Sequence, residues 1–126
     1  MIEQLSEFPQ NVLGFRASGH VTRQDYDSVV DPAVEAAFKS QQSLRLYYQL
    51  DSDFRGMEPG AMWEDFKIGM EHIRHWERIA IVTDVDWIGN SIKVFGFLIP
   101  GEVRLFALAQ ADQARAWIVG SDAHAS

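Results

Sequence analysis

The chain has 126 residues, 47% of them apolar, and its 11 Lys and Arg against 18 Asp and Glu give a net charge of −7. That size and composition match one ordinary domain with a real core, and the negative charge repels phosphate backbones, which excludes nucleic acid as the expected partner. No cysteine is present, so disulfides and thiolate metal sites are excluded.

No apolar run is long enough to predict an integral membrane segment, and the first residues lack the basic and apolar regions of a secretory signal. The cytoplasm is the expected location. Residues 1–120 are expected to form a single domain, followed by a small, polar, frayed tail over 121–126.

Ile2 to Phe8 alternates weakly and stops at Pro9, which predicts an edge strand. Val12, Leu13, Phe15 and Ala17 predict a second strand, and the short Gln10-Asn11 connection makes the pair an antiparallel hairpin. Thr22-Arg23-Gln24-Asp25 then has the form of a capping box. Behind it, Tyr26, Val29, Val30, Ala33, Val34 and Ala37 line one helical face. Pro32 interrupts this helix, where it would cost about 3 kcal/mol in the interior, so a kink or restart is expected.

Leu44, Leu46, Tyr48 and Leu50 alternate with Arg45, Tyr47 and Gln49, the period of a strand. After a turn-rich loop to Pro59-Gly60, residues Met62, Phe66, Met70 and Ile73 predict a crossover helix. Glu64, Asp65, Lys67, Glu71 and His72 are its expected wet face. Ile79 to Val82 is apolar at both parities and belongs inside a mostly parallel sheet. A helix follows with Trp87, Ile88, Ile92 and Phe95 inward, capped by Asp84 or Asp86. Val103 to Leu108 is the last strand, and Ala111, Ala114, Trp117 and Ile118 define a final helix ending at Gly120.

The stretch Trp76-Glu77-Arg78-Ile79-Ala80-Ile81-Val82-Thr83-Asp84, with Trp87, Glu102-Val103-Arg104-Leu105-Phe106 and Ala114-Arg115-Ala116-Trp117-Ile118, resembles the SpoIIAA-like family of small bacterial domains. The likeness extends upstream to Met62-Trp63-Glu64-Asp65. This family is related in fold to the STAS anti-sigma-factor antagonists and to CRAL-TRIO lipid-binding domains. The resemblance implies an α/β fold: a mixed five-stranded sheet, with an N-terminal antiparallel hairpin and then parallel strands, and four helices in a right-handed βα superhelix. It also implies a binding role, toward a protein partner or toward an apolar small molecule or lipid. In STAS antagonists a phosphorylated Ser or Thr opens the second crossover helix; here Met57-Glu58-Pro59-Gly60-Ala61 carries no hydroxyl. The nearest one, Ser52, stands between Asp51 and Asp53, where a phosphate would add about −2 charge beside two carboxylates.

Parallel sheets bind ligands beyond the carboxyl ends of their strands. That edge collects Asp51, Ser52, Asp53 and Phe54 after one strand and Thr83, Asp84, Asp86 and Trp87 after another. Converging carboxylates suit a hard cation, but helix capping and loop solvation explain them more simply, so no metal ligand is assigned. His72 and His75, three apart, read as complements to a helix C-terminus. Ile68, Val94 and Phe97 fall off the inward stripes and are the expected interaction surface. No catalytic set and no cofactor motif is present. The expectation is a non-enzymatic regulatory module acting through protein contacts, as a homodimer or with another protein. An apolar-ligand binder is the alternative, and a metal-assisted enzyme on the four aspartates ranks third.

Overall fold

Ile79, Ala80, Ile81 and Val82 are buried in succession, so β6 (Trp76–Val82) has protein on both faces, as its unbroken apolar run requires. The computed structural model describes residues 1–96 and 99–120, apart from the side-chain surroundings of Phe66, Gly69 and Phe95. Phe97 and the tail 121–126 lie outside the described residues.

Five strands form the main sheet in the order β1-β2-β4-β6-β7. β1 (Ile2–Leu5) runs antiparallel to β2 (Val12–Ala17), with Ile2 opposite Ala17. β4 (Leu44–Leu50), β6 and β7 (Glu102–Phe106) continue in parallel. In register, Phe15 pairs with Tyr48, Tyr48 with Ile81 and Ile81 with Leu105, so one row of side chains crosses the sheet. The order steps in one direction from β2 to β7. Right-handed crossovers therefore bring all their helices to one face, and that face carries α2 (Asp31–Ser40), α3 (Pro59–Glu71) and α4 (Asp86–Phe95).

The first helical unit begins as the sequence predicts: the Thr22 hydroxyl accepts from the Asp25 amide at 3.2 Å and the Asp25 carboxylate from the Thr22 amide at 2.9 Å. After α1 (Arg23–Asp25) the backbone reaches the expected restart at Pro32, in the first turn of α2, by way of a change of helix type. It widens into a π-helical turn over Tyr26–Val30, in which the Asp31 amide donates to the Tyr26 carbonyl. The wider turn makes room for a ring that would collide with the carbonyl four residues back in an α-turn.

On the far face, α5 (Ala111–Val119) lays Ala114, Trp117 and Ile118 over Val12, Tyr47, Ala80 and Val82. Its last carbonyls are well supplied with donors. Gly120, at φ +84°, turns its amide back to Ala116 and Trp117, Arg78 donates to the Trp117 carbonyl at 2.7 Å, and Arg45 to that of Ile118 at 3.1 Å. Cations here complement the helix dipole.

Some boundaries differ from the sequence expectation. β1 stops at Leu5, and Leu108 belongs to a 3₁₀ turn rather than to β7. A second sheet, β3 (His20–Val21) parallel to β5 (Gly56–Met57), lies beyond the ends of β2 and β4. Strands of two residues are too short to show a period. Within the expected wet face of α3, Asp65, Lys67 and Glu71 are exposed, but Glu64 is buried, because α3 packs along the first helical unit.

Candidate functional site

Between the crossover helices and the sheet lies a cavity of about 530 Å³. Phe15, Tyr48 and Ile81, the register row described above, lie on its floor with Leu46 and Ile79; Val30, Val34, Ile68, Ile88 and Ile92 come from the helices. The Met62, Met70 and Ile73 stripe of the α3 region does face the sheet, but across open space. Met62, Met70 and Trp87 remain 46%, 51% and 46% exposed, which makes them the rim of an open mouth. A sealed, empty void this large would cost on the order of 10 kcal/mol at about 24 cal/mol per Å³. That rivals the whole stability of a domain, so the space is open to solvent or filled by a ligand.

The polar side chains on the wall are few. Ser91 has satisfied itself by donating to the Trp87 carbonyl at 2.8 Å. Three others form a chain: the Tyr26 hydroxyl donates to Asp65 Oδ1 at 3.0 Å and lies 2.9 Å from the Tyr48 hydroxyl. Asp65 is exposed, its side chain bordering the open cavity space. Desolvation by the protein around it raises the pKa of its carboxyl, against the opposing effect of the Tyr26 hydrogen bond. Both tyrosines are pushed up as well, by burial and then by the Asp65 charge.

A second acidic group lies on the outer side of α3. Carboxylate oxygens of Asp27, Asp31 and Glu64 all fall within 4.8 Å of one another. Glu64 already has Arg23 at 3.5 Å and Lys67 at 3.3 Å. Burial first, then the Glu64 charge and its hydrogen bond, raise Asp31 to about 6. The cluster thus relieves repulsion by holding protons and borrowing two side-chain cations.

β4 and β6 are neighbours, so the two predicted loops do share one edge of the sheet. Their carboxylates are nevertheless engaged separately. Asp51 pairs with Arg16 at 3.2 Å and accepts from Gln49 at 2.8 Å, while Asp84 accepts from the Leu108 amide at 3.0 Å. Among the described residues, Asp51, Asp53, Asp84 and Asp86 make no group of three that could hold an ion. Neither Asp84 nor Asp86 caps α4. Val85 holds that position, with its amide donating to the Thr83 hydroxyl at 3.0 Å.

Ser52 and Asp53 are exposed in the turn after β4. Phe54 and Trp87 do come together, with ring centroids 6.5 Å apart, Phe54 against the core and Trp87 at the cavity mouth. Ile68 faces the cavity rather than an outer surface, and Val94 is exposed. Phe97 lies outside the described residues. The two α3-end histidines meet an aromatic ring: His72 stacks on Phe38 at 4.2 Å and His75 meets its edge at 6.1 Å.

Sequence reasoning missed Tyr26, Tyr48 and Asp65 as a set. One signal was available: Tyr26 and Tyr48 both sit at inward positions of their elements, and a buried phenol needs a polar partner.

The fold and cavity define a small α/β domain of the SpoIIAA/STAS kind. The SpoIIAA-like family model matches residues 12–119, and the chain belongs to that family. A crystal structure of an uncharacterized protein of the DUF3478 family with a SpoIIAA-like fold, from Shewanella loihica PV-4, superposes with a TM-score of 0.73. It is 26% identical over 93% of each chain. No curated protein matches the sequence. Family and fold are consistent with a regulatory module of the STAS type. No helix among the described residues is long and apolar enough to cross a membrane.

Proposed function

We propose that this protein is a non-enzymatic binding module whose ligand is an apolar small molecule held between the crossover helices and the sheet. The cavity carries this reading: its volume of about 530 Å³ lies within the ~300–1,000 Å³ of small-molecule sites, and an apolar wall with a few placed polar groups is their usual chemistry. Among the described residues the polar wall offers one carboxyl, two hydrogen-bonded phenols and the Ser91 hydroxyl, groups suited to orienting a ligand. Trp87, from the expected ligand edge, lines the mouth of this cavity, with the Phe54 ring beside it.

The test is titration with the fluorescent apolar probe N-phenyl-1-naphthylamine. Saturable binding at one probe per chain is expected, and Ile68→Trp, which puts a large ring into the cavity, should abolish it while far-UV circular dichroism is retained. Equal binding by the folded Ile68→Trp chain would sink the reading.

A protein-partner role is a second reading, supported by Val94, 56% exposed on α4. The helix start that carries the switch hydroxyl in STAS antagonists is here capped by Glu58, whose carboxylate instead accepts from the Arg23 amide at 2.9 Å. A partner surface on this chain would therefore work without that switch. Sedimentation of the wild-type chain and Val94→Asp across a wide concentration range tests it in the homodimer form; a strictly monomeric wild type removes that form.

A further inference from the structure

Resting on the cavity reading, we infer that the ligand is an amphipathic amine, an apolar body with one protonated nitrogen that pairs with Asp65.

Each phenol has one proton. Tyr26 spends its own on Asp65 Oδ1, so in the Tyr26–Tyr48 contact Tyr48 must be the donor. The chain Tyr48, Tyr26, Asp65 therefore presents only acceptors to the cavity when Asp65 is ionised. Tyr26 is the sole hydrogen-bond partner of Asp65 among the described residues, and no Lys, Arg or His pairs with it. Nor does a Lys, Arg or His among the described residues line the cavity. A carboxylate or phosphate head would find no counter-charge there and would face an acid.

A protonated amine supplies what the site lacks. Its N–H donors fill the free acceptor positions of Asp65 with charge-assisted hydrogen bonds. The net charge of −7 also attracts cations toward the molecule. Trp87 at the mouth offers an aromatic face to an entering cation.

The test is calorimetric titration of the full chain with decylamine, decanol and decanoate, which share one apolar body. At pH 7.5 decylamine should bind at least tenfold tighter than decanoate and more tightly than decanol. Asp65→Asn should erase the preference for decylamine over decanol, while Asp112→Asn, which removes the same charge from exposed α5 surface, should leave it intact. The wild-type chain gives an independent readout: decylamine affinity should fall as pH drops and Asp65 takes up a proton, with decanol affinity unchanged. If none of the three binds, the cavity reading itself fails. If decanoate binds as well as decylamine, or if Asp65→Asn and the pH profile leave the preference untouched, the amine is wrong while the apolar cavity stands.

Discussion

The hydroxyls of Tyr26 and Tyr48 meet at 2.9 Å on the cavity wall. Tyr26 opens the π-helical turn, and Tyr48 stands in the register row that crosses the sheet. Their contact fixes the first helical unit to β4 at the point where the helix is widened. Through the Tyr26 donor it also orients Asp65 from α3. Three elements are thus joined by two hydrogen bonds beside an otherwise apolar space.

Tyr26 is the middle member of that chain, and removing its oxygen breaks both bonds. Tyr26→Phe should therefore destabilise the fold by about 2–3 kcal/mol, the loss of two bonds with the buried Tyr48 hydroxyl left unpaired. Tyr48→Phe breaks one bond and leaves the Tyr26–Asp65 bond in place, so about 1 kcal/mol is expected. Urea unfolding of the singles and the double checks this. The double should cost little more than Tyr26→Phe, because residues in one network do not add; full additivity would mean the two hydroxyls act independently.

Much of this fold was legible because the strands repeat a simple pattern. Ile79 to Val82 is apolar at both parities and is buried at all four positions, and Leu44 to Leu50 alternates and places Tyr47 and Tyr48 on opposite faces. α3 was only half legible. Hydrophobic periodicity treats any carboxylate as wet, yet Glu64 is buried by packing against the first helical unit and Asp65 turns into the cavity. The inward places of Tyr26 and Tyr48 were legible, but their joining with Asp65 was not, since the members of the polar chain lie 22 and 39 residues from Tyr26. Long-range contacts of that kind belong to tertiary packing, which no window of sequence contains.

Asp31 gives stability a defined pH dependence. Its folded pKa of about 6 lies above the roughly 3.9 of an unfolded aspartate, so between these values the folded chain binds more protons than the unfolded one. Stability must then rise as pH falls from 7 toward 4.5. Glu64 and Asp27 oppose its ionisation, and Lys67 favours it. Asp31→Asn, neutral throughout, should be more stable than wild type at pH 7.5 and should lose this rise. Thermal melts of both chains across that range decide it; parallel profiles would mean that Asp31 ionises freely in the folded state.

Gly101, in the turn before β7, is a site where backbone approaches backbone. A methyl group there would collide with the carbonyl oxygens of Trp76 and Glu77 at the start of β6. Neither is a flexible side-chain end that could swing aside. Gly101→Ala should cost at least about 1–3 kcal/mol, the range for forced overpacking. Gly19→Ala is a useful contrast: nothing lies within 4 Å of its added carbon, so its cost is confined to the strain of φ +60°. A chemical-denaturation midpoint for Gly101→Ala equal to wild type would show that the β6–β7 junction yields easily.

Ile81 and Leu44 provide the sharpest test of whether the cavity is open in solution. Both are buried aliphatic side chains on the helix-covered face of the sheet, 9% and 0% exposed. Only Ile81 is on the cavity floor. Truncation in a close-packed core removes contacts on every side and costs about 2–5 kcal/mol. Leu44→Ala should fall in that range. Ile81 has open space on one side, where it makes fewer contacts to lose, and its truncation enlarges an existing cavity instead of creating one. Ile81→Ala should therefore cost about 1–2 kcal/mol, below the close-packed range. A ligand that fills the cavity would restore those contacts, so saturating ligand should raise wild-type stability more than that of Ile81→Ala. If Ile81→Ala costs as much as Leu44→Ala without ligand, α3 lies closed on the sheet in solution and the binding space must open before it can be used.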